Sequence, residues 1–487
     1  MKLNLRTFFS LATLLILVLT CFAQPADDIK QTSDRLASSI LLGPSMSTLF
    51  LLSDGFGGRL SGSPSYQHAA EWAAGKFRSY GIQNVKLEPF NIPNGWERGP
   101  ARGAMITPLQ LPLHVESYGW SPSTPDGGVQ GDVIQIGDVS ADALKAAAAQ
   151  IKGHIVLLDT TKIYADGYRK ASAALRVAYP LFKDEGALAV VSPDREPNNV
   201  LNAHSAGWRA DLSPLPLAQI GSEDAKLITR MLAMPGVPVR IELELHNKTS
   251  GPIPVNNVIA EIRGSEHPDE WILIGAHLDS WDYGTGAQDN GTGTVMVLEA
   301  ARALASLGQA PRRSIRFALW GGEEEGVLGS YAYTQQHAAE LEKCVAVLNT
   351  DNGSGHPKGW KVEGRKDLMT AMAPISESLK GLSGDDLSME VTYDTDHGPF
   401  MLHGIPALDL EVDMTHYMEV HHKSSDTYDK VDPIHLKADA AIVAVTAYQV
   451  AQKTEPIAAH IDHAAVGEIL KKAGLDEMLK DVGVWTP

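Results

Sequence analysis

From residue 250 onward, the chain alternates short apolar runs with helix-period segments, and this limits the fold more than any other feature. Runs of strand length lie near residues 271–276, 315–320, 346–349 and 407–412. The clearest helical patterns lie near 293–307, 330–342 and 435–452. Such alternation implies βαβ units, because parallel neighbours need a crossover long enough to hold a helix. The expected fold is α/β, with a mixed, mainly parallel central sheet flanked by helices. Upstream, residues 64–80 read as a helix ended by Gly81, and 85–90 as a strand. A Pro- and Gly-rich stretch at 93–125 marks a transition. Beyond it, buried strands are expected at 153–159 and 187–192, with a helix ending near 186 between them. These patterns divide the chain into a leader (1–23), a discontinuous core (24–124 plus 246–460), a smaller β-rich insertion (125–245) and a C-terminal tail (461–487).

Polar residues follow these strands where a parallel sheet binds ligands, at the carboxyl ends. His277 and Asp279 follow one strand, Glu323 and Glu324 the next, and Asp351 a third. Asp289 lies in the glycine-flanked loop 288–293, and His422 arrives late, after His421. The run Glu323, Glu324, Glu325 directly after an apolar strand is electrostatically poor unless a cation faces it, since adjacent carboxylates repel. Acids also favour a helix's first turn, and that simpler reading competes. A histidine and carboxylate set with few thiols suits zinc or a similar divalent ion. It divides between two ions if one carboxylate bridges. An acid beside a ligating acid is also the pairing that metal-assisted hydrolysis needs.

Charge narrows the partners. A formal net charge of -18 argues against nucleic acid or an anionic membrane surface. Lys2 and Arg6, the apolar run 8–19 and the exit at Ala23 read as a secretory signal peptide. Cys21 leaves a lipidated alternative, although Thr20 is a poor residue before a lipidated cysteine. No later segment offers about 18 uninterrupted apolar residues, so no membrane insertion of the mature chain is expected. The expected location is secreted or periplasmic. Cleavage near Ala23 would leave Cys344 alone, which excludes an intrachain disulfide. The sequence leaves a homodimer open.

The motifs GAHLDS (275–280), QDNGTG (288–293), EEEGVLGS (323–330), NTD (349–351) and HHKSSDT (421–427) are ordered over roughly residues 255–450. They resemble the di-zinc exopeptidase family of the Streptomyces- and Vibrio-type aminopeptidases, glutamate carboxypeptidase and carboxypeptidase Q. The doubled histidine and the large insertion bring the chain closest to carboxypeptidase Q-like members with a protease-associated apical domain. The resemblance implies two Zn2+ ions per chain, the first held by His277 and Asp351, the second by Glu324 and His422, with Asp289 between them. Glu323 would be the general base that takes a proton from the attacking water, and Asp279 would orient His277. A cis peptide after Asp289 is also implied. His397 and His421 are candidates for substrate or oxyanion contacts. A tyrosine precedes the matching histidine in glutamate carboxypeptidase, and His421 stands there instead, leaving the oxyanion role unassigned. Glu325 reads as a solvated helix-start residue. His204, His267 and His356 have no spacing that supports a role.

The activity implied is a secreted metallo-exopeptidase cleaving dipeptides or short peptides as aminopeptidase, carboxypeptidase or dipeptidase. Two alternatives use the same scaffold. A single-zinc glutaminyl cyclase would need only one half of the ligand set, and a receptor-like binding protein would have lost it.

Overall fold

The computed structural model describes residues 26–207 and 209–486, so the expected signal peptide lies outside the described residues. An eight-stranded mixed sheet forms the centre. Its strand order is Asn84–Ile92, Ile253–Ile262, Arg313–Trp320, His267–His277, Cys344–Asn349, Ala407–Val412, Pro357–Lys361 and Asp386–Ser388. The middle strands from Arg313–Trp320 to Ala407–Val412 pair in parallel, whereas the first two strands pair antiparallel with their neighbours. This is the mixed, mainly parallel sheet expected from the βα alternation. Residues 271–277 and the whole of Cys344–Asn349 are buried, which requires cover on both faces and explains their unbroken apolar character.

That cover comes from helices read off the same periodicity. Thr292–Ser306 and Pro433–Gln452 are buried on nearly every side and pack against each other. Pro64–Ser79 begins with proline in its first turn and a Ser63 side chain that accepts from the Tyr66 N–H at 3.2 Å. It closes before Gly81, whose φ of +87° suits glycine. The helix expected at 330–342 is split into an α-helix, Leu328–Gln336, and a 3-10 segment, Ala338–Lys343. His337, between them, stacks on Tyr333 and contacts Glu88 at 2.9 Å.

A second eight-stranded sheet runs in the order Leu111–Leu113, Ala101–Thr107, Arg240–Leu245, Val129–Ile136, Ile155–Leu158, Ala189–Pro193, Leu217–Ile220 and Val115–Ser117. Its strands begin at Ala101, earlier than the change at 125 expected from sequence. The Pro- and Gly-rich stretch, read as a transition, holds turns between short strands, including a cis Thr107–Pro108 bond. The insertion was expected to be β-rich with one helix ending near 186, and that helix is present beside others. Four of the second sheet's strands, from Val129–Ile136 to Leu217–Ile220, run in parallel, with Tyr168–Asp184 and Ser222–Leu232 as helices. The C-terminal tail is likewise structured. His463–Ala473 and Asp476–Asp481 bury Val466, Leu470, Leu479 and Trp485 against Tyr393, Met401 and Ala407. Among the described residues no single helix is long and apolar enough to cross a membrane, and Cys344 is buried as a free thiol.

Candidate active site

Strand ends gather the expected residues at one edge of the central sheet. His277 ends its strand, and its Nε2 lies 2.9 Å from Asp351 Oδ1 and 3.3 Å from Asp289 Oδ1. On the other side His422 Nε2 lies 3.1 Å from Glu324 Oε2 and 3.4 Å from Asp289 Oδ2. Asp289 thus turns one oxygen to each pair. Glu323 falls in a group with His277 and Asp351 whose ligand atoms lie within 4.8 Å of one another. A buried Asp289 Oδ2 without a hydrogen-bond partner, imidazoles and several carboxylates are the donor chemistry of a zinc-type site.

The electrostatics favour a cation. Burial pushes the Glu323 and Glu324 carboxyls well above their usual range, and neighbouring acids add to the shift. Asp351 is raised for the same two reasons, although His277 opposes it. So many carboxyls in a dry site cannot all ionise unless positive charge joins them.

Backbone clamps hold the arrangement. The fully buried Arg59 donates from Nε to the Leu278 carbonyl (2.7 Å) and from its terminal nitrogens to those of Thr285 (2.8 Å) and Gly286 (2.9 Å). It thereby fixes the loop between His277 and Asp289. The Asp426 carboxylate accepts the Gln288 and Asp289 N–H groups at 2.7 and 3.1 Å. The Asp289–Asn290 peptide is cis. Gly293 has no room for a side chain, since a Cβ there would sit 2.4 Å from the Thr350 carbonyl oxygen.

Asp279 meets His277 mainly through its main chain and has a further task. The His277 Nδ1 partner with hydrogen-bond geometry is the Asp279 main-chain carbonyl at 3.0 Å, while its carboxylate is 3.6 Å away. That carboxylate accepts from Ser61 Oγ (2.9 Å) and from the N–H groups of Glu323 (3.4 Å) and Glu324 (3.3 Å), anchoring the acidic turn. Glu325 is not solvated. It is 2% exposed, beside Ser61 and Asp279, and neither oxygen has a regular hydrogen bond. Burial and the neighbouring acids raise its pKa well above normal. The run is a tight turn rather than a helix start: Gly326 and Val327 take φ of +112° and +60°, which folds Glu325 inward.

The two histidine candidates separate. His421 stacks on His422 with ring centroids 3.7 Å apart, and its Nε2 lies 3.7 Å from Asp289 Oδ2. It belongs to the site. His397 joins none of the metal-type groups among the described residues. Fully buried, its ring contacts the Thr392 carbonyl at 3.1 Å and Glu363 at 3.6 Å, so it offers no surface to a substrate.

Two site residues were missed. Tyr417 lies four residues before His421 with ring centroids 5.0 Å apart. Burial first, then the charges of Asp289, Asp351, Glu324 and Glu323, raise its phenol pKa. That i, i+4 spacing was a readable signal. His204 comes from between strands of the second sheet and lies 6.4 Å from the His422 ring, and burial holds its pKa down to about 3. No local pattern marks it.

A sheet whose strand ends carry one histidine–carboxylate pair and the acid of a second, with a loop histidine completing that second pair, one aspartate shared by both and a further acid alongside, defines a metallohydrolase. Residues 257–447 match the model of peptidase family M28. Carboxypeptidase Q of Mus musculus is 31% identical over 417 residues, covering 84% of this chain and 85% of that protein. An aminopeptidase of Bacillus subtilis is 25% identical, covering 84% of each. A peptidase M28 precursor from Shewanella amazonensis superposes with a TM-score of 0.76 at 29% identity, covering 90% of this chain and 99% of that one. The chain belongs to peptidase family M28.

Proposed function

We propose that this chain is an exported exopeptidase that holds two zinc ions and hydrolyses dipeptides or short peptides from a chain end. The observation that carries the reading is Asp289, whose two oxygens face His277 with Asp351 on one side and His422 with Glu324 on the other. His277 and Asp351 would hold one ion, His422 and Glu324 the other, and Asp289 both. When bound, the ions would supply the Lewis acidity that polarises a scissile carbonyl and acidifies an attacking water.

The remaining work falls to side chains of the protein. Glu323 takes the proton of the attacking water and returns it to the leaving amine, a role suited to a half-buried acid whose pKa is raised. Asp279 keeps Glu323 and Glu324 on their respective sides by holding the main chain of their turn. Access is limited by the second sheet's connections. The Ala203 N–H donates to the His422 carbonyl at 2.7 Å, and His204 covers that ring. A wall so close to the centre favours chain ends over the middle of a polypeptide. Export rests on the pattern of residues 1–23. A single-zinc cyclase is disfavoured because both half-sites are assembled.

The test is direct. Zinc-loaded protein should cleave a free-ended dipeptide, lose this activity with a chelator and regain it with zinc. Protein that binds zinc yet cleaves no free-ended dipeptide contradicts the proposal.

A further inference from the structure

We infer that Trp281 is a positioning residue that holds both ligands of the His422–Glu324 half-site and ties its zinc affinity to the seating of the second sheet; the inference rests on the two-zinc reading above. Trp281 is 5% exposed. Its main-chain N–H donates to Glu324 Oε1 at 3.3 Å, while Oε2 of the same carboxylate lies 3.1 Å from His422 Nε2. One oxygen is thus taken up by the protein, and the other is left to face His422. The Trp281 ring meets the His422 ring edge-on, with centroids 5.9 Å apart and planes at 63°. A single residue touches both ligands, one through its main chain and one through its indole.

The two contacts are fixed differently. The main chain is gripped at the next residue, where Arg98 donates from Nε and a terminal nitrogen to the Asp282 carboxylate at 3.0 and 2.8 Å. The indole has no such anchor, because its Nε1 is buried without a hydrogen-bond partner among the described residues. By contrast, the indoles of Trp96 and Trp120 donate to the carbonyls of Ser121 (2.8 Å) and Asn94 (2.9 Å). Packing seats the Trp281 ring, and part of that packing comes from the second sheet's connections. Trp120, fully buried with φ of +59°, meets it edge-on at 6.5 Å, and Trp96 stacks on Trp120 at 5.9 Å. A Cβ at Gly119 would lie 2.8 Å from Trp281 Cζ3, so the ring rests directly on the Gly119 main chain. Gly119 is itself bonded to the segment that covers His422. Its N–H donates to the His204 carbonyl at 2.9 Å, and its carbonyl accepts from the Ala206 N–H at 2.7 Å.

The consequence is selective. A ring wedged between the second sheet and His422 passes on any displacement, since a close-packed interior leaves it no free space. His422 comes from a loop and depends on that backing, whereas His277 and Asp351 stand at the ends of paired strands of the central sheet. Groups that orient a metal ligand typically account for about 10- to 100-fold in metal affinity. Trp281 therefore governs one ion and not the other.

The experiment reads zinc affinity by competition with a fluorescent chelator in wild type, Trp281→Ala, Trp281→Phe and Gly119→Ala. Wild type should bind two ions. Trp281→Ala should bind one of them about 10- to 100-fold more weakly and the other as wild type does. In a Glu324→Gln background, which keeps only the His277–Asp351 ion, Trp281→Ala should change nothing. Trp281→Phe, which keeps a ring against His422, should recover most of the loss. Gly119→Ala leaves Trp281 in place but intrudes on its ring, and it should weaken the same ion; this arm stands even if Trp281→Ala does not fold. Trp281→Ala or Gly119→Ala protein that binds both ions with wild-type affinity overturns the inference. So does a further loss in the Glu324→Gln background. A wild type that holds fewer than two ions instead defeats the two-zinc reading itself.

Discussion

The two halves of the candidate centre are built differently. The His277 and Asp351 side chains are 1% and 10% exposed, lie at the ends of adjacent parallel strands and are fixed by the central sheet itself. Glu324 is 3% exposed, but its partner His422 is 23% exposed, sits on a loop with φ of +62° and is covered by His204 from the second sheet. One half is a property of the sheet, and the other is completed by segments distant in sequence. Both meet at Asp289. The contrast suggests that the sheet sets the chemistry while the loops and the second sheet set access and substrate choice.

Substitutions can break or sharpen this contrast. The largest effect is expected for Glu323→Gln, which should lower kcat by on the order of 1,000-fold while zinc content stays near that of wild type. Glu324→Gln and Asp351→Asn come next. Each should cost one zinc, but the ion left in the Asp351→Asn protein should be lost to a chelator faster, because only the open half is then complete. Equal chelation rates in the two variants would remove the distinction between the halves. His204→Ala should weaken zinc only in the open half, by about 10-fold, as for groups that support a ligand rather than bind the metal. Competition with a fluorescent chelator reads this.

The smallest effect concerns Glu325. Its folded-state pKa is raised, so its ionisation in the unfolded chain opposes folding increasingly as pH rises above about 4.3. Glu325→Gln removes that penalty. In chelated protein the melting temperature of the variant relative to wild type should therefore increase from pH 5 to pH 8, and a difference that shrinks would contradict the burial argument.

Legibility in the sequence follows the same division. His277, Glu323, Glu324 and Asp351 were readable because buried parallel strands are apolar runs and the polar residues after them stand out, whereas Asp289 was readable from its glycine-flanked motif. His422 was readable from its motif and not from any strand. Glu325 was misread because a third acid before a helical pattern normally faces water, and nothing local announced the left-handed turn at Gly326 and Val327. The early start of the second sheet was hidden because proline and glycine mark tight turns as readily as linkers. His204 was invisible for a simpler reason: its place at the site depends on contact with His422, more than a hundred positions away.

The central claim is that Asp289 joins two half-sites, so the most direct measurement is zinc per chain in purified, buffer-exchanged wild-type protein. The account predicts about two ions, falling to about one in Glu324→Gln and remaining about two in Glu323→Gln. About one ion in wild type, with full dipeptide hydrolysis, would contradict it.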